Sequence, residues 1–572
     1  MNRKKNLIPL LIFLIGLCMR LIYIFQMSRN DPLFYHPFSD SLQYHHLAIS
    51  ILRNGIIGSE PFYHPPLFQY YLALIYNIFG INLFCARIIQ IVLGSINILL
   101  IYLVTRQYFD RTVAMVASFI AAVYPMFIFY DGEILIPTVL IFLVLLGIFF
   151  LGRKGLRDIF FSGILFGLAA ITRQNVLLII LLIPLFLLIN QKKVILKKLL
   201  FFWLGSFLMI FPVTLRNVAV LKEPILISWQ GGVNFYIGNN PHSNGITGIP
   251  PGSKKVDWFH AYLNLKEKFE HKIGHPLSNS EFDRICYAQG LNFVMKYPLK
   301  AFGLFIKKFY LFFAGFEISS ERDIYRTAKY SYLGYILFHI PFLQFPFGVL
   351  CPLFIVGIYL LRDHWRKVSN LLLFILFYSL SFVAFFVNAR YRMAIIPFII
   401  IIASYTIVIF LKKMERKKRG VSLIIFVSSF IILNANLYQI RDPDLYLTSY
   451  ELAQVYNAQG KLEDALRQVD SSIMDRPDFA EAHNLRGVIL KKMGYVSKAQ
   501  IEFQKAIELD STLPDPYINL GNISILTEYP FLLIKILQNR ITRRRLWSIR
   551  TRRLPSIILG ISTCRRRILT EP

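Results

Sequence analysis

The sequence is poor in charge and poorer still in cysteine. Only 17% of its 572 residues are Asp, Glu, Lys or Arg, and the five cysteines (Cys18, Cys85, Cys286, Cys351, Cys564) include no CxxC pair. That excludes a disulfide framework and a thiolate zinc site. No HxxxH spacing occurs among the histidines, and Gly231–Pro241 lacks the strand–helix context of a dinucleotide fingerprint. No small-residue cleavage site follows the first apolar run, so Leu7–Phe25 is expected to be an uncleaved span with a cytoplasmic N-terminus.

What is there is apolar. Hydrophobic residues make up 55% of the chain, and the mean hydropathy is +0.51. A soluble protein of this length would be far less apolar, so the expected class is an all-α polytopic membrane protein. The formal charge of +30 is concentrated in short clusters between apolar runs, such as Lys192–Lys198 and Lys412–Arg419. Such clusters mark cytoplasmic anchors and argue against nucleic acid.

Hydropathy and the positive-inside rule predict about eleven spans within residues 1–440. Two segments are left on the outer face, 28–82 and 217–345. The stretch 297–316 is apolar but carries Lys307 and Lys308, and is read as interfacial or re-entrant. Residues 449–527 differ in kind. Ala453, Gly487 and Gly521 recur every 34 residues, as do Gly460 and Gly494, Ala465 and Ala499, and Val469 and Phe503. That is the tetratricopeptide (TPR) period, a small α-solenoid expected outside the membrane. The third repeat fails at Glu528 and Leu533. The tail 528–572 is basic and repeat-free, read either as an aberrant end or as a lipid-touching tail.

The candidate chemistry gathers on the outer face. Asp40 heads a helix whose apolar residues Tyr44, Leu47, Ala48, Ile51 and Leu52 share one side, suited to a bilayer surface. Ser39 or Asp40 is read either as a helix cap or, beside Tyr44, His45 and His46 and just outside a span, as a site with Asp40 as general base. Asp131 and Glu133 are either a turn and cap or a second acidic site on the same face. Arg173, Arg390 and Arg392 face outward at span ends, as snorkelling anchors or as a clamp for a lipid phosphate. His36, His45, His46 and His64 suit hydrogen bonding better than metal ligation. A divalent cation on the carboxylates stays open, with no metal ligands assigned.

Taken together these stretches carry a resemblance. Ser39-Asp40 with Tyr44 and Ala48, then Pro61-Phe62-Tyr63, Pro66-Leu67 and Leu72–Tyr76, resemble the first outer loop of the membrane type C glycosyltransferases. That family includes protein mannosyltransferases and the aminoarabinose transferase acting on lipid A. Tyr130–Glu133, Gly231–Pro241 and Ala389–Arg392 with Pro397 are similar to a bacterial branch bearing C-terminal TPR repeats. The resemblance implies inverting transfer of a sugar from a polyprenyl-phosphate donor to an acceptor at the outer face of the bacterial cytoplasmic membrane. Asp40 would take the acceptor proton, with Asp131 and Glu133 as further acids. Arg390, Arg392 and Arg173 would hold the lipid phosphate. Tyr44, His45, His64 and Asn234 would line the acceptor or sugar pocket, and the repeats would bind a protein partner. Several relatives have an acidic pair where this chain has Asp40-Ser41. The competing readings are a transporter or flippase, an oligosaccharide ligase or polymerase, and a TPR scaffold without chemistry. A transporter should carry mid-span charges and repeat symmetry, which the sequence does not display.

Overall fold

A computed structural model describes residues 3–58, 62–153, 155–190, 195–251, 258–338, 344–412, 414–440 and 445–528, and these contain helices and no strand. Of the basic tail, only Glu528 lies among the described residues. Two compact units divide at Pro477/Asp478.

The first unit begins with α1 (Arg3–Asn30), α2 (Ser39–Asn54) and α3 (Leu67–Phe79). A bundle follows: α4 (Leu83–Tyr108), α5 (Arg111–Val123), α6 (Pro125–Gly132), α7 (Pro137–Arg153), α8 (Leu156–Ala170), α9 (Val176–Asn190) and α10 (Ile195–Leu221). Outer segments hold α11 (Gly231–Gly238), α12 (Trp258–Ile273), α13 (Asn279–Lys296), α14 (Pro298–Phe313), α15 (Ile324–Ala328) and α16 (Tyr332–Phe338). The bundle resumes with α17 (Phe347–Leu360), α18 (Trp365–Val383), α19 (Ala389–Arg392), α20 (Ile396–Leu411) and α21 (Arg416–Asn434), and the unit ends with α22 (Leu445–Ala458) and α23 (Leu462–Asp475).

Helix length alone does not reach the expected count of about eleven spans. Among the described residues, four helices are long and apolar enough to cross a membrane: Leu7–Asn30, Leu83–Tyr108, Leu196–Val220 and Arg362–Val383. Helices α5 and α6 would make a fifth if the pair, bent by 51° at Tyr124-Pro125, is one span. Proline lacks the N–H that would continue the ladder, which accounts for the break. Helices α3, α7, α17 and α20 are apolar but have 13–17 residues. At 1.5 Å per residue these reach roughly 20–26 Å, short of a ~30 Å hydrocarbon core.

The amphipathic α14 hides one of its two central lysines. Lys308 is buried and its Nζ donates to the carbonyls of Phe385 (2.8 Å) and Gly238 (3.1 Å) and to Asn239 Oδ1 (3.2 Å). That satisfies all three protons of the ammonium.

Glycine sets a close helix contact within the bundle. A Cβ on Gly163 of α8 would lie 2.1 Å from the Phe202 carbonyl oxygen, and one on Gly205 of α10 would lie 2.4 Å from that of Phe160. Without driving force from water, such small-residue seams let helix backbones meet.

The second unit contains α24 (Ala480–Lys492), α25 (Val496–Leu509) and α26 (Pro514–Glu528). The turn glycines Gly460 and Gly494 both adopt left-handed backbone, at φ +76° and +90°. Within this unit a Cβ on Gly487 would come within 2.5 Å of the Phe503 ring, so the small residue seats the aromatic one.

Gly163→Val should therefore lower the thermal midpoint in detergent, by the equivalent of roughly 1–3 kcal/mol or more for overpacking against backbone. Gly303→Ala in α14, with no atom within 4 Å of its Cβ position, should leave the midpoint unchanged or raise it.

Candidate active site

Asp40 lies in the first turn of α2, and neither it nor Ser39 caps the helix. The cap is made by Ser41, whose Oγ donates to the Phe38 carbonyl (2.6 Å) and accepts from the Phe38 N–H (3.2 Å). Ser39 holds a left-handed backbone at φ +52°, a conformation that costs a non-glycine residue energy and aims the first turn. The apolar face of α2 packs on protein: Tyr44 and Ala48 are buried, and the Tyr44 ring meets Phe68 of α3 edge-on at 5.0 Å. The expected bilayer-facing surface is thus internal at Tyr44 and Ala48, while Leu52 stays exposed.

Arg390, on the short helix α19, reaches the carboxylate. Its Nη1 lies 2.8 Å from Asp40 Oδ2 and makes a second short pair with Glu321. One guanidinium thus serves two carboxylates. Burial pushes the Asp40 carboxyl up, but the Arg390 charge, followed by His64, outweighs it and holds the group at about 2. Glu321 goes the other way, raised well above the usual range by burial and then by the Asp40 charge. The cation favours ionisation, while burial and the first acid's negative charge favour protonation of the second.

His64 stands behind Asp40, with Nε2 3.9 Å from Oδ1. Its ring hydrogen-bonds Gln43 Oε1 at 2.8 Å and packs against Tyr44 at 5.0 Å. Burial drives its pKa down to about 4, so it is neutral near pH 7.

These groups line a cavity of about 1060 Å³, at the upper end of small-ligand sites. Arg173, from the turn after α8, also lines it. Its guanidinium lies over Tyr391 (4.5 Å) and Phe382 (5.3 Å), and it makes no carboxylate pair among the described residues. From α11, Asn234 completes the set.

So Asp40, Tyr44, His64, Arg173, Asn234 and Arg390 meet at one cavity. The other candidates do not reach it. Asp131 is buried on Arg20 of α1 (2.7 Å) and Thr138 (2.7 Å), in space that Gly94 leaves open. Glu133 pairs with Arg322 (3.0 Å), which also holds Asp31 (2.6 Å). Arg392 points inward, pairing with Glu317 (2.6 Å), donating to the Ala314 carbonyl (2.7 Å) and stacking on Phe347 (3.9 Å). His45 bonds Tyr76 at 2.8 Å. These are cross-links between segments, and the outer acidic turn is interior.

Glu321 was missed, although the charged run Glu321-Arg322-Asp323 after the amphipathic α14 marks a polar outer site. Among the described residues no group of three or more His, Cys, Asp or Glu side chains is placed to hold a metal. Asp40 and Glu321 have Arg390 as their counter-charge, so this pair does not form a cation site.

Residues 63–215 match the family described as dolichyl-phosphate-mannose-protein mannosyltransferase. Over 133 residues the chain is 31% identical to the human Protein O-mannosyl-transferase TMTC3. That match covers 23% of this chain, and the chain spans 14% of that relative's length. Among solved structures it is similar to the Archaeoglobus fulgidus oligosaccharyltransferase AglB in complex with an inhibitory peptide and a dolichol-phosphate. There the TM-score is 0.41 and the identity 15%, over 81% of this chain and 60% of that one. It is also similar to ArnT from Cupriavidus metallidurans bound to undecaprenyl phosphate, with TM-score 0.38 and 12% identity over 92% and 78% of the two chains. Likenesses this loose fix no residue correspondences. Residues 63–215 are thus similar to the protein mannosyltransferases, which are among the members named for the resemblance read from the sequence.

Proposed function

We propose that the protein transfers a sugar from a polyprenyl-phosphate donor to an acceptor hydroxyl at the outer face of a bacterial cytoplasmic membrane, with inversion. The observation that carries the reading is the juxtaposition, in one cavity, of an ionised carboxylate and a cation that has no carboxylate partner among the described residues: Asp40 and Arg173. The acceptor oxygen attacks the anomeric carbon, its proton passes to Asp40, and the bond to the phosphate oxygen breaks. The polyprenyl phosphate is a stable leaving group, so no acid is required to protonate it. Arg173 holds that phosphate, because its guanidinium offers several donors and no carboxylate among the described residues neutralises it.

The phosphate clamp differs from the one expected from the spans. Arg392 is committed to Glu317, and Arg390 orients Asp40. Removing Arg390 would leave two buried acids sharing no cation, so it serves the base before the donor. The helix repeats are read as a TPR segment outside the membrane, supported by turn glycines 34 residues apart.

Asp40→Asn should cut sugar transfer in membranes by about 10²-fold or more, the lower range for a lost general base, with normal insertion. Wild-type turnover by that variant would remove Asp40 from the chemistry. Arg173→Ala should raise the donor KM roughly 10–100-fold, the equivalent of one or two charge-assisted hydrogen bonds, with a smaller change in kcat.

pH adds a third test. His64 binds its proton less readily folded than unfolded, since burial lowers it from 6.5 to about 4. The unfolded chain therefore takes up the proton first as pH falls, and stability declines between about pH 6.5 and 4. The thermal midpoint should drop across that window, and His64→Gln should flatten the drop.

A further inference from the structure

Lys308 of α14 is a buried ammonium that pairs with no carboxylate among the described residues. Taking such a group out of water is costly unless its protons are accepted. Its three acceptors come from two segments that carry cavity residues. The Gly238 carbonyl and Asn239 Oδ1 lie at the end of α11, whose Gly231, Asn234 and Ile237 line the cavity. The Phe385 carbonyl belongs to the linker between α18 and α19, where Ala384, Phe386 and Asn388 line it as well. Lys308 itself stands outside that lining.

The two segments meet backbone to backbone. A Cβ on Gly238 would lie 2.0 Å from the Phe385 carbonyl oxygen, and the Val387 N–H donates to the Gly245 carbonyl at 3.0 Å. Asn239 Nδ2 donates to the carbonyls of Ala384 (2.7 Å) and Phe235 (2.9 Å), so its amide is held with the oxygen toward the lysine. All three groups facing Lys308 are therefore acceptors, and only a full ammonium supplies three donors. The linker is also closed at its neck. Phe382 before it stacks on Tyr391 after it, with ring centroids 4.7 Å apart. Those are the two rings under the Arg173 guanidinium. A cation seated on aromatic faces takes its position from theirs. The platform of Arg173 is thus the neck of a loop whose far end is pinned by Lys308.

We propose that Lys308 is a positioning residue for the lipid-phosphate clamp: by tying the α18–α19 linker to α11, it holds the Phe382–Tyr391 platform on which Arg173 lies. This rests on the glycosyltransferase reading, in which Arg173 takes the donor phosphate. Lys308 acts through Arg173 and not on the phosphate itself.

The test measures binding of a sugar-free polyprenyl phosphate to the full chain in lipid nanodiscs, with the thermal midpoint recorded beside each Kd. Arg173→Ala should raise the Kd about tenfold or more, and Lys308→Met about tenfold. The double variant should bind within about twofold of Arg173→Ala alone, because a residue that acts through another has nothing left to act on. Asn239→Leu removes an acceptor of the same pin; it should repeat both results, and it decides the matter if Lys308→Met does not insert. Lys307→Met alters the half-buried neighbour that lies over Tyr438, and should bind as the wild type does. Additive losses in the double variant, or a lowered midpoint with an unchanged Kd, would make Lys308 a brace alone and overturn the proposal. If the wild type binds no polyprenyl phosphate, or Arg173→Ala binds it equally well, the clamp reading itself fails and takes this one with it.

Discussion

The architecture of the site depends on two adjacent residues, Glu321 and Arg322. Glu321 meets Arg390 and so joins the late outer segment to Asp40 on α2. Arg322 turns to Asp31 and Glu133, tying the same segment to the end of α1 and to the turn after α6. Three stretches far apart in sequence, around Asp31 and Asp40, Glu133 and Arg390, are thereby fixed around one dipeptide. Each group is buried, and taking one partner away from such a pair typically costs about 3–5 kcal/mol through the charge left behind. The fold therefore has a strong reason to keep both pairs, beyond any part they play in chemistry.

This arrangement explains which parts of the site were legible from the sequence. Asp40 was visible because a carboxylate opens an amphipathic helix beside a span, a purely local pattern. Arg173 was visible because it breaks the positive-inside trend, and it lines the cavity. Asp131, Glu133 and Arg392 carried the same outward signals, yet each is spent on a partner far along the chain: Arg20, Arg322 and Glu317. Loop position says that a charge exists on one face; it does not say what neutralises it. Glu321 failed for the complementary reason, since it sits in an irregular stretch with no periodicity to draw the eye.

The membrane part divides in the same way. Helical class and the long spans follow from hydropathy, which sums over a window. The bend at Tyr124-Pro125 and the short helices α7, α17 and α20 do not, because a window of apolar residues cannot register where a backbone ladder stops. The buried Lys308 is a further case: its three backbone and amide acceptors come from Gly238, Asn239 and Phe385, none of them near it in sequence.

The electrostatics also constrain how Asp40 can act. A carboxyl held at about 2 is ionised at every physiological pH, but it is a weak base. It cannot strip a hydroxyl proton in advance of bond formation. It can accept one late, when the attacking oxygen has become acidic through bonding to the anomeric carbon. The value of the Arg390 pair under the proposed reaction is therefore in position and permanent charge rather than basicity. A base of that kind depends on an acceptor placed accurately beside it. The same loops that hold Asp40 and Glu321 in register are gripped by α22–α23, whose Tyr446, Leu447 and Arg476 face the cavity. Weak basicity leaves the burden on position, and geometry supplies what the carboxylate lacks.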